Sequence, residues 1–350
     1  MTDRDRWDLR GPVRACRLQR TWYTRRCGTD ECEFEKGGDI ADVEFRADGS
    51  LTRHWHHNPD GSEWTSTYEY NDADRLTALR MENEGAVVCL RLYDYDPAGR
   101  LVRVVDRPRD GGERIAESYE YGDAGIEKKT VYADLAAQRP NTLHGWAVEG
   151  TDGIFSATGA TTMTTLYNGR GRPAELRFYD GSGLALSRVE FVYDHDGNLV
   201  EEAQSNSVET LPSEVRTSLS PAHLETLKSL FGMAGEPIRR KHVYDGHGRR
   251  IATGSRMSRF GGDSKTMAYN EHGDPIEDVS EREQREYDFD EEGRLSDIPA
   301  KESVSRTEAR FKYDYDAHGN WVTKAVECRS GMDRDYTLTS VERRTLGYFE

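Results

Sequence analysis

The sequence predicts an all-β protein made of antiparallel β-hairpin repeats that curl into a partial barrel, a spiral or a shell. The first observation is an aromatic residue followed four positions later by glycine, a pattern that recurs about every 25 residues from Val43 onward. The second is composition: 18 tyrosines and 33 glycines accompany a hydrophobic fraction of only 35%, which suits a thin sheet better than a thick globule. One short helical insertion interrupts the pattern.

Each copy of the pattern predicts a strand, a tight reversal and a returning strand. Tyr313 and Tyr315 lie two apart and so share one face of a strand, whereas Asp316 to Gly319 is typical of a turn. Glycine suits that turn because it adopts positive φ without strain. We call the two members of the pattern the repeat aromatic and the repeat glycine. They occur as Phe45/Gly49, Tyr95/Gly99, Tyr121/Gly125, Tyr167/Gly171, Tyr193/Gly197, Tyr244/Gly248, Tyr269/Gly273, Phe289/Gly293 and Tyr315/Gly319, with Tyr70/Asp74 as a degenerate copy.

Three segments carry a resemblance to a known repeat family. Tyr-Asp-Tyr-Asp-Ala-His-Gly-Asn-Trp at 313–321, Tyr-Asp-Tyr-Asp-Pro-Ala-Gly-Arg-Leu at 93–101 and Tyr-Asp-His-Asp-Gly-Asn-Leu at 193–199 resemble the YD repeats of the Rhs family. The resemblance covers about Val43 to Val326 and implies a strip of sheet coiled into a hollow shell around a toxin or a ligand. No Asp-Pro-x-Gly-Leu-like cleavage segment is present and little follows Val326, so we expect no C-terminal toxin domain.

Two longer gaps divide the repeats into blocks. The first gap is typical of a loop followed by a threonine-rich strand. The second predicts a helix, because Leu224, Leu227 and Leu230 fall on one face and Pro221 suits the first helical position; we expect that face to be buried. The predicted organisation is an N-terminal arm or cap at 1–42, YD-type repeats at 43–133, a loop insertion at 134–165, YD-type repeats at 166–210, a helical insertion at 211–235, and YD-type repeats with a C-terminal strand at 236–350.

Charge and hydropathy limit the expected partners and location. The chain has 64 acidic and 48 basic residues, a net charge of −16, whereas nucleic-acid binders cluster Lys and Arg. No apolar run is long enough to cross a bilayer, and no signal peptide is visible. We therefore expect no nucleic-acid or membrane partner and a cytoplasmic location, with export by a non-classical or toxin-type route as the alternative. The oligomeric state is left open.

The residues that could bind a metal form no complete ligand set. Five cysteines at wide spacing predict no disulfide framework. Cys16, Cys27 and Cys32 lack an evident fourth ligand, which favours buried or free thiols over zinc. Aspartates beside the repeat aromatics are expected on the outer face with Arg and Lys partners. No cofactor is predicted, and the question of a metal stays open.

The densest group of polar and aromatic side chains lies just after the first repeat glycine, and a second aromatic pair lies in the first gap. Two of the histidines share a strand face and form a metal pair without a third ligand. An aromatic groove of this kind also suits a sugar or a peptide. The candidate ligand-binding residues are His54, Trp55, His56, Trp64, Trp146 and Phe155.

The sequence favours a non-enzymatic scaffold that binds or encapsulates a protein or carbohydrate ligand. It contains no Gly-x-Ser-x-Gly elbow, no phosphate-binding glycine loop before a helix and no His-Glu-x-x-His. Two alternatives stay open. One is an Rhs-type toxin shell or a partner of an effector. The other is a glycan-active hydrolase with a cleft on the sheet, in which two carboxylates lie roughly 5 to 9 Å apart.

Overall fold

The computed structural model describes residues 2–27, 32–109, 111–132, 146–148, 151, 154–155, 157, 159–207, 221, 224, 237–256, 261–288, 296, 298–331 and 333–350. Over these residues the chain consists mainly of β-strands, and a four-residue helix, α1 (Asp3–Arg6), lies near its start. The strands are β1 (Val13–Cys27), β2 (Cys32–Phe45), β3 (Leu51–His57), β4 (Glu63–Tyr70), β5 (Leu76–Asn83), β6 (Ala86–Tyr95), β7 (Leu101–Pro108), β8 (Arg114–Gly122), β9 (Gly125–Tyr132), β10 (Trp146–Ala147), β11 (Ile154–Phe155), β12 (Thr162–Tyr167), β13 (Pro173–Tyr179), β14 (Ala185–Tyr193), β15 (Leu199–Asn206), β16 (Ile238–Tyr244), β17 (Arg250–Arg256), β18 (Gly261–Tyr269), β19 (Pro275–Glu286), β20 (Lys301–Tyr315), β21 (Trp321–Ser330) and β22 (Thr337–Tyr348).

The chain forms two compact units. Unit 1 comprises Met1–Arg114, Ala268–Asp278 and Thr307–Glu350, and unit 2 comprises Ile115–Met267 and Val279–Arg306. Strands of unit 1 pair in the order β7-β6-β5-β4-β3-β2-β1-β22-β21-β20. Strands of unit 2 pair in the order β8-β9-β12-β13-β14-β15-β16-β17-β18. All of these pairings are antiparallel, which confirms the predicted all-β fold of hairpins.

Seven of the repeat glycines lie in turns of one kind: Gly49, Gly99, Gly171, Gly197, Gly248, Gly273 and Gly319. Gly125 instead begins β9 and pairs with Gly122, and Gly293 lies outside the described residues. Ten turns among the described residues share two main-chain bonds: the first residue donates to the carbonyl four positions later, and the fourth donates to the first. In one of them, Asp96 N lies 2.9 Å from the Arg100 oxygen and Gly99 N lies 2.8 Å from the Asp96 oxygen. The fourth residue has positive φ in every case and is glycine except at Asp74. These are three-residue hairpin loops that end in a left-handed residue. The prediction that Gly99, Gly197, Gly248 and Gly319 lie in turns is confirmed.

The side chain of the first turn residue fixes the turn from within. Asp245 Oδ1 accepts hydrogen bonds from His247 N at 2.9 Å and Arg249 N at 3.0 Å. The bond from the Arg249 main chain is the largest of the effects that lower the pKa of Asp245 to about 2. Asparagine makes the same contacts, as Asn168 does with the N–H groups of Arg170 and Arg172. An Asp or Asn at this position therefore stabilises the reversal locally.

Four of the repeat tyrosines join consecutive hairpins by a bond from the hydroxyl group to the main chain, whereas Tyr315 bonds to the side chains of Asn270 and Asp274. Tyr95 donates its hydroxyl proton to the Leu76 carbonyl at 2.8 Å, and Leu76 lies two residues beyond the left-handed Asp74 of the preceding turn. The contact holds each hairpin against the main chain of the one before it. The same bond joins Tyr70 to Leu51, Tyr193 to Pro173 and Tyr244 to Leu199, at 2.7, 2.8 and 2.9 Å.

An arginine often follows the left-handed residue, and its contacts differ with the first residue of its own turn. After Asp96 and Asp245, the side chains of Arg100 and Arg249 bond to the carboxylate of the same turn at 2.8 and 2.7 Å. This bond ties the guanidinium group to its own turn. Such exposed pairs contribute little stability by themselves.

Where the turn begins with asparagine, the arginine contacts the next hairpin. After Asn168, the Arg172 guanidinium carbon lies 5.6 Å from the centre of the Tyr193 ring. A β-carbon placed on Gly197 would overlap the same guanidinium group. The arginine thus lies between a repeat tyrosine and a repeat glycine, where it gains a cation–π contact. The same arrangement is formed by Asn71, Arg75, Tyr95 and Gly99.

Unit 1 differs from the sequence-based expectation at its N-terminus. The stretch at 1–42, expected to be an arm or a cap, supplies two long strands, β1 and β2, to the middle of the ladder. A bulge between Val13 and Ala15 shifts the side-chain alternation, so that Val13 and Cys16 are both buried. That shift is why the sequence shows no single period there. The residues after α1 cover this core, with Leu9 only 4% exposed.

Unit 2 has a larger apolar core on one face of β12 to β15. Met163, Leu176, Phe178 and Val189 are at most 2% exposed and form one cluster with side chains from the first gap. The threonine-rich strand expected at the end of that gap is β12, which pairs with β9 and β13.

Of the helical insertion expected at 211–235, only residues 221 and 224 are described, and both are helical. The predicted burial of its leucine face lies outside the described residues.

Alanine at Gly197 tests the contact with Arg172. Gly197 and Gly183 have similar φ angles, 88° and 87°, but only Gly197 lies against a guanidinium group; a β-carbon on Gly183 meets nothing within 4 Å. Left-handed backbone costs alanine about 1 kcal/mol at either site. We expect Gly197→Ala to lower the free energy of unfolding in urea by more than Gly183→Ala does. In an Arg172→Ala background the two costs should become equal. Equal costs in the natural sequence would contradict the contact.

Phenylalanine at Tyr70 tests the bond between hairpins. Tyr70→Phe removes the hydroxyl group that donates to the Leu51 carbonyl. Loss of this hydrogen bond should lower the free energy of unfolding by about 1 kcal/mol. Burial raises the pKa of Tyr70 to about 12. This phenol therefore contributes stability below about pH 10 that is lost as the pH rises towards 12. Tyr70→Phe should reduce that alkaline loss, measured by urea unfolding from pH 8 to 11. Tyr132→Phe, at a 42% exposed position, is the control and should change neither quantity.

Candidate functional site

The candidate site is a groove on one face of unit 1, where two cross-strand rows run over β3, β2, β1 and β22. In the first row Trp55 pairs with Asp42, Asp42 with Arg17, and Arg17 with Thr345. Cross-strand partners project from the same face, so these side chains lie side by side. The row therefore presents an indole, a carboxylate and a guanidinium group in sequence. Arg17 Nη1 lies 3.8 Å from Asp42 Oδ2.

The second row makes the groove deep. Arg53 pairs with Glu44, Glu44 with Ala15, and Ala15 with Gly347. Ala15 and Gly347 carry the smallest side chains of the row, so the surface drops beside Arg17 and Thr345. The resulting cavity has a volume of about 450 Å³. It is within the size range of small-ligand sites.

The opposite face of the same strands holds the two histidines. The ring centres of His54 and His56 lie 6.4 Å apart, which confirms that the two residues share a face. Trp7 packs edge-on against His54 at 5.5 Å, and His56 lies 3.9 Å from Asp39. Trp64 is the cross-strand partner of His56 and is 44% exposed. Trp55 instead stacks beside His57 on the groove face, so the predicted patch is divided between two faces.

The aromatic pair from the first gap does not extend this site. Phe155 is 7% exposed, belongs to the unit 2 core and packs edge-on against Phe191 at 5.5 Å. Its prediction as a ligand-binding residue is corrected here, because its side chain is enclosed by the sheet. Trp146 pairs with Phe155 through the main chain. The side chain of Trp146 lies outside the described residues.

The described residues include no group of three or more His, Cys, Asp or Glu that could bind a metal. Cys16 is a buried free thiol, and burial raises its pKa to about 11. Cys27 and Cys32 are cross-strand partners whose side chains are not described. Asp94, one of the expected outer-face acids, has the predicted arginine partner, Arg103, at 2.6 Å.

Sequence reasoning missed most of the groove. Arg17, Asp42, Glu44 and Arg53 carried no motif, and Arg17 lay in the stretch expected to be an arm. Only the register of four strands brings these residues beside Trp55. One member of the groove did give a signal in the sequence: Trp55 follows three polar residues and precedes two histidines in β3.

The pH dependence of stability tests the environment of His54. Burial lowers the pKa of His54, and the nearby His56 adds to the effect. A histidine with a lowered pKa contributes stability above about pH 6.5 that is lost as the pH falls. We expect the melting temperature to fall from pH 7.5 to 5.5, and His54→Phe to reduce that fall while keeping the contact with Trp7. His57→Gln, on the other face, is the control. An unchanged pH profile for His54→Phe would count against a buried His54.

Comparison with known proteins gives matches only among solved structures. No family model matches the chain, and no curated protein matches it. A porin-like protein from Bacteroides uniformis has 9% identity and a TM-score of 0.33, over 97% of this chain and 98% of that one. A porin-like protein from Bacteroides vulgatus has 10% identity and a TM-score of 0.23, over 95% and 97%. TcdB2-TccC3 without its hypervariable C-terminal region has 10% identity and a TM-score of 0.25, over 92% of this chain and 19% of that one.

The predicted cytoplasmic location is corrected by the two porin-like matches, which span nearly the whole chain. The prediction rested on the lack of an apolar run and of a signal peptide, and neither observation identifies a compartment. Among the described residues, no helix has the length and apolar character needed to span a membrane. All three TM-scores are below 0.5, so these matches do not identify a ligand for this chain.

Proposed function

We propose that the chain is a non-enzymatic YD-type hairpin scaffold that binds a protein or carbohydrate ligand, and that the ligand docks in the Trp55 groove. The YD-type assignment rests on the sequence motif, on the shared turn and on the tyrosine bond between hairpins. The groove is the observation that carries the binding role. It combines an aromatic wall, two small floor residues and charged groups at its rim.

The chemistry of the groove favours a sugar over a protein segment. Trp55 offers a flat apolar surface against which the C–H face of a sugar ring can pack. Asp42 and Glu44 accept hydrogen bonds, and Arg17 and Arg53 donate them, so hydroxyl groups find both kinds of partner. The main-chain groups beneath are already paired between strands. A peptide therefore finds no free strand edge along which to add itself.

Alanine at Trp55 tests the site. We expect the purified chain to bind members of a glycan array, and Trp55→Ala to weaken that binding by about tenfold or more, as the loss of an aromatic anchor does. Trp64→Ala, on the opposite face of the same hairpin, is the matched control and should leave binding unchanged. Melting temperatures of both variants check that the fold is kept. Loss of binding only in Trp64→Ala would place the ligand on the histidine face and contradict the groove.

The hydrolase alternative has one supporting observation: Asp42 and Glu44 lie two positions apart on the same strand and both line the groove. Both carboxylates face guanidinium groups, Arg17 at 3.8 Å and the cross-strand partner Arg53. The two carboxylates of a glycoside hydrolase flank the scissile bond, whereas Asp42 and Glu44 project side by side from one strand. We therefore favour binding. Release of reducing ends from a bound glycan, abolished by Asp42→Asn or Glu44→Gln, would establish the hydrolase instead.

A further inference from the structure

A second cavity lies in unit 2, next to a hairpin that carries a different residue after its left-handed glycine. The position after the left-handed glycine carries Arg172 in one hairpin and Asn198 in the next. Arg172 reaches over the Tyr193 ring of the following hairpin. Asn198 is shorter, and its amide donates to Asp194 Oδ2 of its own turn at 3.0 Å. Its oxygen lies 3.6 Å from a β-carbon placed on Gly248. The side chain therefore ends before it can cover the next repeat tyrosine, Tyr244.

The space left open is a cleft of about 510 Å³. Three repeat tyrosines, Tyr167, Tyr193 and Tyr244, contribute to its walls, together with the guanidinium-bearing Arg172 and Arg250. The hydroxyl groups of Tyr193 and Tyr244 bond to the carbonyls of neighbouring hairpins. These bonds fix the two rings in place before any ligand arrives, which lowers the entropic cost of binding.

The charge of the cleft is opposite to that of the chain. The net charge of the protein is −16, yet among the residues that the structure describes no carboxylate lines the cleft, and two arginines do. Arg172 forms no ion pair with any residue that the structure describes; its guanidinium group has only the contact with Tyr193 and Gly197. A guanidinium group held flat against an aromatic ring keeps its N–H edge available for a carboxylate.

We propose that this cleft binds an acidic sugar, a uronic acid unit of a glycan. The carboxylate pairs with Arg172, and the sugar ring packs against the tyrosine rings. The cavity volume suits one or two sugar rings rather than a folded segment. A peptide is disfavoured because the nearby Pro173 and Leu199 carbonyls already accept tyrosine hydroxyls, which leaves little main chain for it to pair with. The site is independent of the Trp55 groove, which lies in unit 1.

The experiment fills the cleft with the side chain that the repeat uses elsewhere. The variant, called Asn198→Arg below, also carries Asp194→Asn; it recreates the turns at 71–75 and 168–172, in which an Asn-first turn is followed by an arginine that reaches the next hairpin, so we expect it to fold with an unchanged melting temperature. Calorimetry with digalacturonate should show binding to the natural chain and a loss of about tenfold or more in Asn198→Arg. Leu184→Arg is the matched control, because it adds an arginine after Gly183, outside the cleft, and should bind normally. The methyl ester of digalacturonate should bind about tenfold more weakly or not at all, because it lacks the carboxylates.

Three outcomes would overturn the proposal: no binding of digalacturonate to the natural chain, equal binding of the methyl ester, or unchanged binding in Asn198→Arg. Binding of an acidic dipeptide without digalacturonate would assign the cleft to a peptide and equally refute a sugar. If Asn198→Arg fails to fold, Arg172→Gln takes its place, and it must weaken digalacturonate binding while Leu184→Arg does not. Trp55→Ala should leave digalacturonate binding in this cleft unchanged, so failure of one site does not decide the other.

Discussion

The hydrogen bond from a repeat tyrosine to the main chain of the preceding hairpin is the contact on which the rest of the structure depends. A sheet with few large apolar residues gains little register information from its core. A bond such as that of Tyr95 to the Leu76 carbonyl supplies it, because a slip of one residue would turn the phenol to the other face. The left-handed turn residue comes first, since it places the acceptor carbonyl two positions later. The turn and the tyrosine bond together set the strand register between one hairpin and the next.

The choice between Asp and Asn at the start of a turn has consequences beyond that turn. Both side chains cap the reversal, but only a carboxylate attracts the arginine that follows. Arg249 bonds to Asp245, and Arg172, whose turn begins with Asn168, extends to Tyr193. At Asp194 the residue after the left-handed glycine is Asn198, whose amide bonds to the carboxylate of its own turn.

Local signals in the sequence predicted the turns, the strand type and the shared face of His54 and His56, because each depends on residues close in sequence. The N-terminal strands were missed, because the bulge after Val13 breaks the alternation that identifies a strand. Phe155 was misassigned, because burial depends on a sheet formed by residues far along the chain. The groove was only partly predicted: Trp55 was visible, but its neighbours Asp42 and Arg17 arrive through pairing register, which no local pattern encodes.

Both proposed sites lie where the repeat changes, and there is a physical reason for this. A regular repeat presents identical surfaces, and identical surfaces give a ligand no unique position. At the Trp55 groove the regular pairing is altered by the Val13 to Ala15 bulge and by Gly347, which together lower the floor. In unit 2 the change is Asn198 in place of arginine. In each case the tyrosine bonds and capped turns keep the surrounding hairpins in register, so a small residue opens a cavity without loosening the sheet. The regular hairpins keep the sheet rigid, and the positions at which the repeat sequence changes give each cavity its own set of side chains.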